Sequence, residues 1–235
     1  MDNVKAEITE IFSSIQGEGI FLGAKQIFVR FKKCNLSCSF CDERTKPNST
    51  EYTPIELMNR IKELDGSSGP HHSVSLTGGE PLLYWDFLKV FLAILKKNRN
   101  FKSYLETNGT LPHELDSIID LVDIVAMDFK LPSSTNEREY WREHADFLKI
   151  ALKKKVFVKV VVTPDTSSED IEKAVQIIKK SNKDIPFILQ PASSAKADKS
   201  GIDNDRLLKF LEVGLKNDMN NIRVIPQVHK ILKVK

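Results

Sequence analysis

The sequence predicts an α/β fold, an incomplete (β/α)6-type partial barrel, from three observations. Short β-branched runs alternate with amphipathic stretches of helical period, which implies right-handed βαβ units and a mostly parallel sheet. The alternation continues along the chain with no internal repeat, low-complexity block or linker, so residues 1–235 are expected to form a single domain. Polar residues and glycines gather just after the apolar runs, where ligands bind in folds of this kind.

Strands are expected at 26–31, 73–76, 103–106, 123–128, 156–163, 187–190 and 222–225, and helices near 54–64, 85–98, 112–121, 137–153, 168–180 and 204–216. The helix near 54 has Thr53 as its N-cap and Pro54 in its first position. The helix at 85–98 carries an apolar stripe of Phe87, Leu88, Phe91, Leu92 and Leu95. The helix at 168–180 opens on Ser167-Ser168-Glu169-Asp170, acidic residues that suit a positive helix N-terminus.

The strand endings point to an enzyme. Ser73–Leu76 runs into Thr77-Gly78-Gly79-Glu80-Pro81, and the 103–105 run into Glu106-Thr107-Asn108-Gly109. The 123–127 run leads into Asp128-Phe129-Lys130, and the 187–189 run into Gln190-Pro191.

Composition excludes several classes. The chain is 41% hydrophobic and 29% charged, and 35 basic against 32 acidic residues give a net charge of +3. That is the profile of a soluble globular protein, without the clustered basic face of a nucleic-acid binder. No apolar run reaches the ~20 residues that span a membrane, and the first residues do not resemble a signal peptide. A cytoplasmic location is expected.

The three cysteines lie within one octapeptide, Cys34-Asn35-Leu36-Ser37-Cys38-Ser39-Phe40-Cys41, and there is no fourth. An odd, tight cluster is not a disulfide framework. Three thiolates on one loop can ligate three corners of an iron–sulfur cubane and leave one iron open. Structural zinc completed by His71, His72, His113, His144 or His229 is the alternative, but the spacing does not suit paired CxxC knuckles.

Cys-x3-Cys-x2-Cys with an aromatic residue before the last cysteine resembles the signature of the radical S-adenosylmethionine (SAM) superfamily. Gly78-Gly79-Glu80-Pro81 is similar to that superfamily's GGEP loop. The resemblance implies a radical SAM core, with a 4Fe–4S cluster on Cys34, Cys38 and Cys41. SAM on the open iron would be cleaved to a 5′-deoxyadenosyl radical. No side chain is then assigned a catalytic role, because the radical comes from the cofactor.

Further motifs narrow the resemblance. They are Gln16-Gly17-Glu18-Gly19, Phe28-Val29-Arg30-Phe31, Glu106-Thr107-Asn108-Gly109-Thr110 and Gln227-Val228-His229-Lys230. Together they resemble the 7-carboxy-7-deazaguanine synthase family. That family contracts the ring of 6-carboxy-5,6,7,8-tetrahydropterin, releasing ammonia, in queuosine and other deazapurine biosynthesis, with magnesium assisting. The resemblance places substrate on Ile15, Gln16, Gly17, Arg30, Thr77, His229 and the terminal carboxylate of Lys235. It places SAM on Gly78, Gly79, Glu80, Asn108, Asp128, Phe129, Lys130 and Gln190. Only the lysine of Asp128-Phe129-Lys130 agrees with the family's serine–proline–lysine loop. Where the family has Asp-Thr after the last cysteine, this chain has Asp42-Glu43, and the Glu43 carboxylate either binds magnesium directly or takes the metal's place. A flavodoxin- or ferredoxin-type electron donor and a homodimer are also implied. The main competing reading is an activating enzyme that places a glycyl radical on a partner protein; the other is an iron–sulfur sensor.

Overall fold

The computed structural model describes residues 4–41, 48–98, 100–193 and 201–235. The strands are β1 (Ala6–Ile15), β2 (Lys25–Phe31), β3 (Thr50–Tyr52), β4 (Ser73–Gly78), β5 (Ser103–Thr107), β6 (Ile124–Phe129), β7 (Lys155–Val162), β8 (Phe187–Pro191) and β9 (Ile222–Val224). The helices are α1 (Pro54–Ser68), α2 (Trp85–Lys97), α3 (Pro112–Asp116), α4 (Pro132–Thr135), α5 (Trp141–Ala151), α6 (Ser168–Asn182), α7 (Asn204–Lys216) and α8 (Val228–Leu232).

One sheet holds all nine strands in the order β3-β1-β2-β4-β5-β6-β7-β8-β9. From β2 to β9 every neighbouring pair is parallel, while β1 is antiparallel to β2 and to β3. The sheet ends at β3 and β9 without closing on itself, so the barrel is partial. Among the described residues no helix is long and apolar enough to cross a membrane.

The period of two sorts the strand residues onto two faces. Ile27, Val29 and Phe31 of β2, Val125, Met127 and Phe129 of β6, and Val156, Val158, Val160 and Val162 of β7 enter the main core with the buried faces of α1, α2, α5, α6 and α7. The opposite face begins with a small cluster of Tyr104, Ile124, Ala126, Phe157 and Ile188. Two residues further along their strands come Glu106, Asp128, Lys159 and Gln190, and all four line a cavity. The apolar cluster is the floor, and the polar residues form the wall above it.

Local signals hold the helices where the sequence places them. Thr53 and Glu56 form a reciprocal capping box at α1, and Ser167 accepts from the Asp170 N–H at the start of α6. The 112–121 helix is shorter than expected, ending at Asp116 before a separate turn at Ile119–Leu121. The 137–153 helix starts only at Trp141. The short α4 precedes it and stops at Asn136, which has a φ of 60°.

The largest addition is β1, ten residues where the sequence shows no clear strand pattern. A register shift between Ile8 and Glu10 breaks its alternation, and a bulge erases the period-two signal.

Candidate active site

The cavity at the open end of the sheet is about 470 Å³. Cys34, Cys38 and Cys41 lie on its wall with Gly78 and Gly79 from the loop after β4. Burial pushes the Cys38 thiol up to about 11 and raises Cys34 as well. Such thiols ionise when they meet a cation or metal. Among the described residues, no three His, Cys, Asp or Glu side chains already converge on one point as metal ligands would.

The cysteine loop is held by its other residues. Asn35 accepts from Asn108 Nδ2 at 2.9 Å and donates to Thr110 Oγ1 at 2.9 Å, and Thr110 Oγ1 donates to Asn108 Oδ1 at 2.6 Å. On its far side Ser39 donates to the carbonyls of Ser134 and Thr135 at 3.0 and 2.9 Å, while the Ser37 N–H donates to Glu137. The glycine loop fits against the same segment. A Cβ on Gly79 would lie 2.1 Å from the Lys33 carbonyl oxygen, and Gly78 has a φ of 111°. Only glycine allows that approach.

Two residues expected at the cofactor do not line the cavity. Glu80 is fully buried beneath it and accepts from Thr107 Oγ1, Asn108 N and Leu82 N at 2.8, 2.7 and 3.1 Å. Burial pushes its carboxyl up to about 7 against those three donors. Phe129 falls on the helix side of β6 by strand alternation and stacks on His144 at 4.5 Å. Asn108 lines the cavity, with its amide engaged by Asn35 and Thr110. Asp128, Lys130 and Gln190 line it too, and Lys130 donates to Asp128 at 2.9 Å. Asp128 Oδ1 and Gln190 Oε1 are buried acceptors with no hydrogen-bond partner. A buried unpaired acceptor is costly, and these two fit a ligand bearing hydroxyl or amino donors.

A smaller pocket of about 110 Å³ adjoins the cavity and shares Glu18, Arg30, Thr77, Glu106 and Gln227 with it. Ile15, Gln16, Gly17, His229 and Lys235 also line this pocket, so the residues expected at the substrate do gather in one place. Arg30 sits between the two spaces, its Nε 3.4 Å from Glu10 and its guanidinium over the Phe12 ring. Gln16 faces inward, yet each of its polar groups has a protein partner. Its backbone pairs with Ala24 and Gly23, its Nε2 donates to Gln26 and Glu106, and its Oε1 accepts from the Glu18 N–H. Its side-chain amide orients Glu106. The C-terminal segment closes this side, with the Val228 N–H donating to the Gly17 carbonyl at 2.9 Å. A main-chain carboxylate oxygen of Lys235 accepts from Ser14 Oγ at 2.5 Å. Glu43 lies outside the described residues.

Glu18, Glu106, Lys159 and Gln227 also line the cavity, four residues to which no motif in the sequence assigns a ligand. Glu106 accepts from Ser75 Oγ, Thr77 Oγ1 and Gln16 Nε2 at 3.0, 2.9 and 2.8 Å. Glu18 accepts from Lys159 and, at 2.8 Å, from Gln227. Burial opposes its ionisation, yet Lys159 and Gln227 hold the carboxyl down at about 2. The signal for Lys159 is a lone cation in the interior of the valine-rich β7, in phase with Phe157 and Val161.

Comparison with known proteins agrees with this geometry. The radical SAM superfamily model matches residues 28–189. The 7-carboxy-7-deazaguanine synthase of Geobacter sulfurreducens is 37% identical, with 99% of each chain covered. That of Methanothermobacter thermautotrophicus is 34% identical over 97% of this chain and 98% of its own length. Among solved structures, QueE from Escherichia coli superposes with a TM-score of 0.65 at 22% identity, over 96% of this chain and 95% of that one. SuiB of Streptococcus suis, bound to S-adenosylmethionine, gives 0.58 at 19% identity over 83% of this chain and 45% of that one.

Proposed function

This chain belongs to the radical SAM superfamily and, within it, to the 7-carboxy-7-deazaguanine synthase family, and from that premise we infer the reaction its cavity performs. It contracts the ring of 6-carboxy-5,6,7,8-tetrahydropterin to 7-carboxy-7-deazaguanine with release of ammonia, a step of deazapurine biosynthesis. The observation that carries this reading is the polar pocket beside the cysteine-lined cavity, with Arg30, Thr77 and Glu106 shared between them.

A 4Fe–4S cluster and SAM, when bound, would supply the radical chemistry that activates the substrate. Cys34, Cys38 and Cys41 would hold the cluster, and the bare backbone of Gly78 and Gly79 would let the cofactor approach the loop. The free acceptors of Asp128 and Gln190 suit the cofactor's hydroxyl and amino groups. Arg30 would hold the substrate carboxylate by charge-assisted hydrogen bonds. Glu106, oriented by three donors of its own, offers its remaining acceptor capacity to ring N–H groups. The C-terminal segment packed on Gly17 would exclude water from the ring.

Magnesium at Glu43, a flavodoxin- or ferredoxin-type electron donor, a homodimer and a single domain over residues 1–235 complete the proposal. Magnesium dependence is expected to persist in altered form, and activity indifferent to chelation would mean that the Glu43 carboxylate takes the metal's place.

The test is anaerobic incubation of reconstituted protein with SAM, a reductant and the carboxytetrahydropterin. Formation of 7-carboxy-7-deazaguanine and ammonia is expected. Deoxyadenosine released only with a partner protein would show a glycyl-radical activase instead.

A further inference from the structure

We propose that Lys159 is a positioning residue that couples the substrate side of the cavity to its cofactor side, an inference that rests on the function proposed above. Lys159 stands on the inner face of β7, two residues above the apolar floor at Phe157. Its side chain is 15% exposed, so the ammonium depends on protein carboxylates for most of its compensation. It has two such partners. Nζ pairs with Glu18 Oε2, and it lies 3.5 Å from Asp128 Oδ2. Burial opposes its charge, but Glu18 and Asp128 raise its pKa well beyond the ordinary lysine range.

The two carboxylates belong to different halves of the site. Glu18 lies in the segment after β1 and borders both the smaller pocket and the cavity. Asp128 lies near the end of β6, borders the cavity alone and carries a buried oxygen without a partner. Their other contacts differ in strength. Asp128 keeps a second cation, Lys130, at 2.9 Å, while Glu18 also accepts from neutral Gln227 at 2.8 Å and has His229 as a weaker positive neighbour. Lys159 is thus the stronger support of Glu18 and an adjustable support of Asp128.

One ammonium between two carboxylates responds to whichever of them gains another donor. Ring N–H groups that reach Glu18 take over part of its compensation, and the ammonium then moves toward Asp128. Held at Oδ2, the Asp128 carboxylate presents its free Oδ1 to the cofactor in a fixed orientation. Substrate binding therefore tightens cofactor binding, and linkage requires the reverse by the same factor.

The test is equilibrium binding of SAM to anaerobically reconstituted enzyme, with and without 6-carboxytetrahydropterin. The pterin is expected to tighten SAM binding about fivefold or more in the wild type, within the usual range of coupling between sites. In Lys159→Met, which keeps most of the length and removes the charge, that factor falls to about twofold or less, and Lys159→Arg restores part of it. Should Lys159→Met not fold, Asp128→Asn removes the other end of the couple and is expected to lose the factor equally. A general structural defect weakens both affinities without changing their ratio. Pterin binding with an unchanged factor in these variants overturns the coupling alone. A wild-type enzyme that binds SAM and not the pterin overturns the functional reading, and the coupling with it.

Discussion

The Glu80 carboxylate accepts the backbone N–H of Asn108 at 2.7 Å, and this contact joins the glycine loop after β4 to the end of β5. Asn108 carries the connection onward through its amide to Asn35 of the cysteine loop. Glu80 therefore works from below the cavity as a brace. In Glu80→Gln one carboxylate oxygen becomes an NH2 group facing backbone and hydroxyl donors. A loss of ~1–3 kcal/mol in unfolding free energy is expected, the usual cost of an unsatisfied buried polar group. Denaturant unfolding of the variant checks it, and an unchanged midpoint would remove the brace.

Gly17 sets how closely the C-terminal segment packs. A Cβ there would lie 2.3 Å from His229 Nδ1 and 2.6 Å from the His229 backbone nitrogen. In Gly17→Ala the segment must shift, opening the smaller pocket. The KM for the pterin is expected to rise about tenfold, equal to ~1.4 kcal/mol of binding, with SAM affinity little changed. Steady-state kinetics against direct SAM binding separates the two effects.

Arg30 is expected to read the carboxylate of the substrate. Lysine keeps the charge but loses the planar fork. Arg30→Lys should raise KM for the carboxylated pterin about tenfold or more, and leave the affinity of a pterin lacking the carboxylate unaltered. Equal losses for both ligands would move the carboxylate elsewhere.

His144 supplies a pH dependence of stability. It is fully buried, and burial pushes its pKa from 6.5 down to about 4. Between those values the unfolded chain binds the proton and the folded chain does not. Stability is therefore full above about pH 6.5 and is lost as pH falls toward 4, by an amount on the order of 3 kcal/mol. Phenylalanine at this position keeps a ring on Phe129 and has nothing to titrate. Unfolding free energies of wild type and His144→Phe at pH 7, 5.5 and 4.5 should converge as pH falls; parallel curves would exclude His144.

Much of this arrangement was legible in the sequence because chemistry and period coincide there. Cys34, Cys38 and Cys41, with Gly78 and Gly79, are fixed by local spacing and reach one cavity wall. The phase of each strand was also readable, and it alone sends Asp128 inward and Phe129 to the helix side. A motif match ignores that phase, which is why Phe129 was grouped with its neighbours. Glu80 and Gln16 show a different limit. Their residue types suit a ligand, but long-range partners at Asn108 and Glu106 engage them within the protein. Those partners lie 28 and 90 positions away, and no spacing rule reports them. β1 was missed because its bulge hides the alternation.

The contacts of Asn35, Ser37 and Ser39 bear on how the protein matures. They attach the cysteine loop to β5, to α4 and to Glu137 without using a thiol. The contacts that shape the loop are therefore separate from the thiols that a cluster would use, so substitution of a cysteine is expected to abolish cluster loading and to spare the loop's anchors.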